Sequence, residues 1–270
     1  MNFLTWLHGW FLYIRNFFSP PKRRYGWRRD LPDFRDQYLK IEMPLESLPA
    51  SVDLRPNCPP VYNQGELGSC TANAIAGLVQ FDELKLKRPV TATPSRLFVY
   101  YNERLMEGSV GSDSGAALRD GIKSLNTYGF CPETMWPYII AKFTTKPSQA
   151  CYANAKQHIV QQYQRVPQTA AGIKSVLASG FPVVFGATLY GSFESNTVAA
   201  TGVVPMPGHN ESPIGGHAIM IVGYDDAKKW FIVRNSWGTT WGAKGYCYFP
   251  YDYILNADLC SDFWTVKFVP

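Results

Sequence analysis

Residues 215–238 read GGHAIMIVGYDDAKKWFIVRNSWG, and this stretch decides the fold. It holds two apolar, β-branched runs, Ala218–Tyr224 and Trp230–Asn235, of strand length and strand composition. Working outward, Val183–Leu189 upstream and Gly245–Pro250 and Phe263–Val269 downstream also read as strands, set between Gly- and Pro-rich turns. The period is different in the first half. Residues 70–84 place Ala74, Ile75, Leu78, Val79 and Phe81 at helical spacing, which predicts a mostly buried helix. Ser95–Leu105 repeats the pattern after Pro94, a helix-start residue. Gly115–Tyr128 carries Leu118, Ile122 and Leu125 on one face and ends at Gly129, and Ala170–Ser179 is a shorter helix also closed by a glycine. Helices first and strands second describe an α+β protein with two segregated lobes, and the cleft between them is the expected ligand site.

Composition narrows the function. Of 270 residues, 46% are hydrophobic and 17% charged, which excludes a disordered chain. No run of about 18 uninterrupted apolar residues appears, which excludes a polytopic membrane protein. The net charge of +5 divides into +3 over residues 1–47 and +2 over residues 48–270, so the larger part presents no nucleic-acid-binding face. The cysteines at 58, 70, 131, 151, 247 and 260 are scattered and form no C-x-x-C pair, which argues against zinc. The first eighteen residues are apolar and aromatic but interrupted by His8, Gly9, Arg15 and Asn16; a surface arm, a secretory leader and a membrane-surface anchor all fit. Residues 19–47, with Pro20, Pro21, Pro32 and Pro44 among alternating charges, read as extended.

Three clusters carry chemistry. In Gln64-Gly65-Glu66-Leu67-Gly68-Ser69-Cys70 a glycine-rich turn delivers a cysteine to a helix start, where the partial positive charge favours a thiolate. Alone, such a cysteine is usually a small buried hydrophobe. His217 follows two glycines at the mouth of an apolar strand, and alone it would be a core or edge histidine. Asn235 opens Asn-Ser-Trp-Gly-Thr-Thr-Trp-Gly, residues 235–242, where an asparagine by itself would cap a turn.

Together the three resemble the papain family of cysteine peptidases. Gln64 stands six residues before Cys70, His217 lies 147 residues after it, and NSWGTTWG continuing to Gly245-Tyr246 is the most specific match. The resemblance starts at Leu48-Pro49-Ala50-Ser51-Val52-Asp53-Leu54-Arg55 and covers about residues 48–268. It implies a two-lobe fold, with a mainly helical lobe over about 59–157 and a β-barrel-like lobe over about 158–262. Residues 1–47 would then be a leader or pro-segment. It implies Cys70 as nucleophile, His217 as its base, Asn235 orienting the ring, and Gln64 in an oxyanion hole with the Cys70 N–H. A thiol so paired would titrate at about 3–4 rather than about 8.5. Trp237 would cover the His–Asn contact, and Trp237, Gly115, Gly186 and Ala218 would border the substrate cleft, with an apolar preference two residues before the cut.

Departures from the family pattern point to its bacterial and viral branch. LGSCT, residues 67–71, stands where CGSCW is usual: Leu67 removes a bridging cysteine and Thr71 a tryptophan. Ser112-Asp113-Ser114-Gly115 replaces a Gly-Gly ledge, and an insertion at Val198–Gly215 carries His209, read as a solvated loop residue. Cys131 with Cys151 and Cys247 with Cys260 are the disulfide pairings to test, against free thiols. No cofactor and no metal are expected, and monomer is the default. The partners are a protein or peptide substrate and residues 19–47, expected to run through or beside the cleft and keep the enzyme latent. Secretion or membrane association through residues 1–18 is favoured over the cytoplasm. An exopeptidase and a catalytically silent binding protein are the competing readings.

Overall fold

The computed structural model describes residues 23–40, 43–87 and 93–267. In chain order the elements are β1 (Trp27–Arg28), β2 (Ser51–Asp53), α1 (Cys70–Lys85), α2 (Arg96–Met106), β3 (Ala116–Ala117) and α3 (Leu118–Thr127). There follow α4 (Gln149–Ala155), β4 (Gln162–Arg165), α5 (Ala170–Ala178), β5 (Val183–Tyr190), α6 (Asn196–Thr201) and β6 (Pro213–Asp225). The chain closes with β7 (Trp230–Arg234), β8 (Tyr246–Pro250), α7 (Tyr251–Leu255) and β9 (Cys260–Lys267). Residues 1–18, read above as arm, leader or anchor, lie outside the described residues, and no described helix is long and apolar enough to cross a membrane.

The strands β4 to β9 pair antiparallel in the order β4-β9-β5-β6-β7-β8, with β2 joining at β6. Every residue of α1 from Cys70 to Glu83 is buried, because the helix lies between α2 and α3 on one side and β6 on the other. A helix enclosed in this way needs apolar and small residues all round rather than one apolar stripe. Gly77 is where α1 comes closest to the sheet: a Cβ there would lie 2.6 Å from the Arg234 guanidinium.

Two boundaries differ from the sequence reading. β6 begins at Pro213, so His217 sits within a strand, paired with Ala187 of β5, rather than at a strand's mouth. Gly215 and Gly216 have little strand propensity, but β5 supplies the ladder for their backbone. The helix expected from Gly115 starts only at Leu118, because Ala116–Ala117 pairs in parallel with Trp27–Arg28 and the Ala116 N–H donates to the Gly26 carbonyl at 2.7 Å. A leader strand has taken the first turn of that helix.

All six cysteines are free thiols. Cys131 and Cys151 share a small apolar cluster with Phe98 and Ala155, as neighbouring thiols that form no disulfide. Cys247 on β8 and Cys260 on β9 are separated by β5, β6 and β7 in the strand order, so the proposed bridge between them is not made. Leu67 is buried where the family pattern has a cysteine, and packs in the main core.

Candidate active site

Cys70 is the first residue of α1, with Ser69 at the helix cap, and its side chain is fully buried. The turn before it is braced by Asp113, whose carboxylate accepts from the Gly68 N–H at 3.0 Å and from the Tyr100 hydroxyl. The backbone N–H groups of Ala218, Gly26 and Thr71 reach the Cys70 sulfur, which places β6, the leader and the helix start around it. Thr71, in place of the family's tryptophan, donates to the buried Glu103 carboxyl at 2.6 Å. Burial raises that carboxyl well above the usual range.

His217 and Asn235 come from β6 and from the end of β7. The His217 Nε2 lies 2.8 Å from Asn235 Oδ1, while Nδ1 has no hydrogen-bond partner. The Asn235 oxygen also accepts from the Ser236 N–H at 2.8 Å, which fixes the amide orientation and makes Nε2 the donor. Trp237 lies over the imidazole, with ring centroids 5.0 Å apart, and both side chains are buried. The chain turn after β7 thus delivers the orienting amide and the ring that shields it in three consecutive residues.

Gln64 is fully buried and held on both sides of its amide. Its oxygen accepts from the Ser236 hydroxyl at 2.6 Å, and its Nε2 donates to the Leu67 carbonyl at 3.0 Å. The same Nε2 lies 3.3 Å from the carbonyl of Arg24, a leader residue. A donor aimed at a carbonyl oxygen beside a cysteine is the arrangement an oxyanion hole requires.

Three of the four residues expected to border the cleft, Gly115, Gly186 and Trp237, meet the leader, while Ala218 faces Cys70 through its backbone N–H. A Cβ on Gly115 would fall 1.9 Å from the Gly26 oxygen, and one on Gly186 would fall 1.9 Å from the Trp27 ring. Gly115 also needs its glycine for conformation, with φ at +66°. The Arg23 guanidinium stands 3.7 Å over the Trp237 ring, and Tyr25 packs edge-on against both His217 and Trp237. The Tyr25 hydroxyl bonds to Glu194, just ahead of α6 and of the insertion at residues 198–215. His209 in that insertion is exposed, and His158 lies away from the cleft beside Phe130.

Covering the cleft sets its protonation. Burial pushes the Cys70 thiol up to about 11 and the His217 imidazole down to about 4, against the help of the Asn235 bond. In the covered site burial thus opposes the thiolate–imidazolium pair that the resemblance implies.

Behind the cleft the leader is anchored by charge. Asp30 has a fully buried side chain; it accepts from the Arg119 N–H at 3.0 Å, Arg165 at 2.9 Å and the Trp264 indole at 2.9 Å. Asp36 bonds both Arg119 and Arg165, and the leader's backbone adds Leu39 N to Arg165 O at 2.8 Å and Arg165 N to Gln37 O at 2.8 Å. Sequence reasoning gave no role of their own to Asp30, Asp36, Asp113, Ser236 and Asp262, since each acts on a residue far away in the chain.

The comparisons agree with the geometry. The model of the papain family cysteine protease matches residues 48–260. An uncharacterized peptidase C1-like protein of Acanthamoeba polyphaga mimivirus is 42% identical over 92% of this chain and 88% of its own length. The crystal structure of xylellain, a cysteine protease from Xylella fastidiosa, superposes with a TM-score of 0.86 at 42% identity. The match covers 93% of this chain and 98% of that one. A digestive procathepsin L 3 from Tenebrio molitor larval midgut shares the fold, with a TM-score of 0.69 at 19% identity over 94% of this chain and 79% of that one. The chain belongs to the papain family and is a cysteine-type peptidase.

Proposed function

We propose that the protein is an endopeptidase working through Cys70, His217 and Asn235, and that its leader keeps it latent. The observation that carries this reading is the occupied cleft: one continuous strand of backbone, residues 23–28, passes from Trp237 past Cys70 to Gly115 and out along β3. A cleft that a chain can enter at one end and leave at the other suits an internal stretch of polypeptide. An exopeptidase needs one end closed.

Once the leader withdraws, water reaches Cys70 and His217, and the desolvation opposing their ion pair is relieved. His217 Nδ1, left without a partner in the covered form, takes the Cys70 proton, while Asn235 keeps hold of Nε2–H. The thiolate attacks the peptide carbonyl. The Gln64 amide, freed from the Arg24 carbonyl, and the Cys70 N–H receive the developing oxyanion. His217 returns the proton to the departing amine, and water hydrolyses the thioester. Leu31, 80% exposed, and Phe34, 98% exposed, protrude between the two anchoring carboxylates Asp30 and Asp36, and a cut there would leave the cleft strand tethered through Asp30 alone.

The test compares full-length protein before and after clipping at residues 31–35, on an end-blocked fluorogenic peptide. Cleavage should rise at least tenfold on clipping and vanish in Cys70→Ala. Asn235→Ala should retain activity reduced by about 10²-fold, the cost of letting the imidazole shift from its productive position. Equal activity before and after clipping would refute latency, and turnover only on peptides with a free terminus would favour the exopeptidase.

A further inference from the structure

Behind the turn that carries Gln64 and Cys70 stands a buried cation. Arg96 opens α2, and its side chain is only 11% exposed. A cation at a helix N-terminus meets the positive end of the dipole, so helix stability alone would favour an acid or an apolar residue there. Glu133 offsets part of that cost: its carboxylate accepts from Arg96 Nε at 2.9 Å and from Nη2 at 2.7 Å. The other arm of the guanidinium points toward the turn. Nη1 donates to the Asn63 carbonyl at 3.2 Å and to Asn73 Oδ1 at 3.1 Å, so four of the five N–H groups are engaged. The guanidinium carbon also lies 4.0 Å from the centre of the Tyr138 ring.

Each of those partners leads to an oxyanion donor. Asn63 precedes Gln64 in the chain. Asn73 donates through Nδ2 to the Ser69 carbonyl at 2.9 Å and to the Ser69 hydroxyl at 3.1 Å, and Ser69 precedes Cys70. Tyr138 joins the two ends: its one hydroxyl proton goes to the Gln64 carbonyl at 2.9 Å, and its oxygen accepts from the Ser69 hydroxyl at 2.5 Å. The Gln64 amide and the Cys70 N–H thus stand at opposite ends of a turn that is tied from behind, and Arg96 touches every tie. We infer that Arg96 is a positioning residue for the oxyanion hole and sets the separation and direction of its two donors. Lysine, a point charge on a flexible stem, lacks the planar fork that reaches Glu133, Asn63 and Asn73 together. Donors fixed before the oxyanion forms need no reorganisation when it does, which accounts for a cation placed where its charge is costly. This inference rests on the peptidase reading above.

The test uses full-length protein clipped at residues 31–35 and sets two reactions of Cys70 side by side. Peptide cleavage passes through an oxyanion. Alkylation by iodoacetamide forms the S–C bond as iodide leaves and passes through none. Arg96→Lys should lower kcat on an end-blocked fluorogenic peptide by about 10- to 100-fold, as misplaced donors do, with KM within about threefold. Its alkylation rate should stay within about threefold of the native rate, because the thiol and its base are untouched. Tyr138→Phe deletes only the hydroxyl that joins Gln64 to Ser69, and it should show the same split at about tenfold even where the Arg96 variant folds poorly. An end-blocked peptide aldehyde reads the hole without turnover: the thiol adds across the C=O, the S–C bond forms, and the thiol proton passes by way of His217 to the oxygen in the hole. Its affinity should fall in step with kcat in both variants. Equal losses of alkylation and cleavage would overturn the inference by making Arg96 a support of the fold alone, and so would an unchanged kcat in both variants. A native protein that cleaves no peptide would refute the peptidase reading instead, and the aldehyde series would still decide Arg96.

Discussion

Residues 24–28 and residues 30–39 are neighbours in one leader, yet they hold to the body of the protein by opposite means. In the cleft the contacts are chiefly shape and backbone, Gly26 closing on Gly68 and Gly115, Tyr25 against His217 and Trp27 in its slot, with half-exposed Arg24 and Arg28 paired to Asp113 and Glu107 at the rim. Beyond the cleft they are buried charge, Asp30 and Asp36 on Arg119 and Arg165. The first set imitates what any extended peptide can offer, so a substrate can compete with it. The second has no counterpart in a substrate. It raises the local concentration of the cleft strand without occupying the site, as a tether does.

Three changes break or sharpen that contrast. The largest effect belongs to Asp30→Ala, which strips an acceptor from Arg119, Arg165 and Trp264 together. Removing one partner of a buried ion pair costs about 3–5 kcal/mol, toward the lower end here because Asp36 still pairs with Arg165. Cys70 alkylation in the full chain should therefore rise by about two orders of magnitude. A rise below fivefold would mean that the cleft strand holds by itself.

Gly26→Val attacks the other half. Its Cβ would sit 1.7 Å from the Gly68 carbonyl oxygen, and backbone offers little room to give. Overpacking of this kind costs about 1–3 kcal/mol, so alkylation should rise between about fivefold and a hundredfold. Hydrogen exchange should show residues 24–28 opening while residues 30–39 stay protected. Joint opening would make the leader one cooperative unit.

The smallest effect is that of pH, because two groups oppose each other. Burial, and then the neighbouring Asp262 carboxylate, raise Asp30 to about 6. The covered form thus binds this proton more tightly than a released leader, and that contribution is present in acid and lost as pH rises through about 6. His217 is depressed to about 4 by burial and regains its ordinary value on release, so its neutral form favours cover near neutrality and loses that effect as pH falls toward 4. Between about 4 and 6 the two nearly cancel, and protection of residues 24–40, corrected for intrinsic exchange, should change less than tenfold. Asp30→Asn removes one side of the balance. Acid should then loosen the leader, and a leader that tightens in acid would show the histidine assignment to be wrong.

The long elements were legible in the sequence because their burial is local and periodic: α1, α2 and α5, and strands β5, β7 and β8, fall within a residue or two of the predicted spans. The short ones were not. Ser51–Asp53, Gln162–Arg165 and Asn196–Thr201 exist because a neighbour pairs with them or caps them, β6, β9 and Ser195 respectively. The same division runs through the site. Gln64, Cys70, His217 and Asn235 announce themselves by residue type and spacing, whereas Ser236, which fixes Gln64, and Asp113, which braces the cysteine turn, look like ordinary polar residues until the chain folds.

The amino-acid sequence by itself determined the family, the candidate reacting groups and the extended character of the leader, since these depend on residue type and on steric rules that act within a few positions. Only the tertiary structure decided the state in which those groups stand. Burial by residues distant in the chain, Gly26 beside Cys70 among them, raises the Cys70 thiol and lowers the His217 imidazole. Asp262 meets Trp27 and Asp30 across 235 and 232 positions. Desolvation and buried charge pairing are properties of a place in space, and no local pattern of residues encodes them.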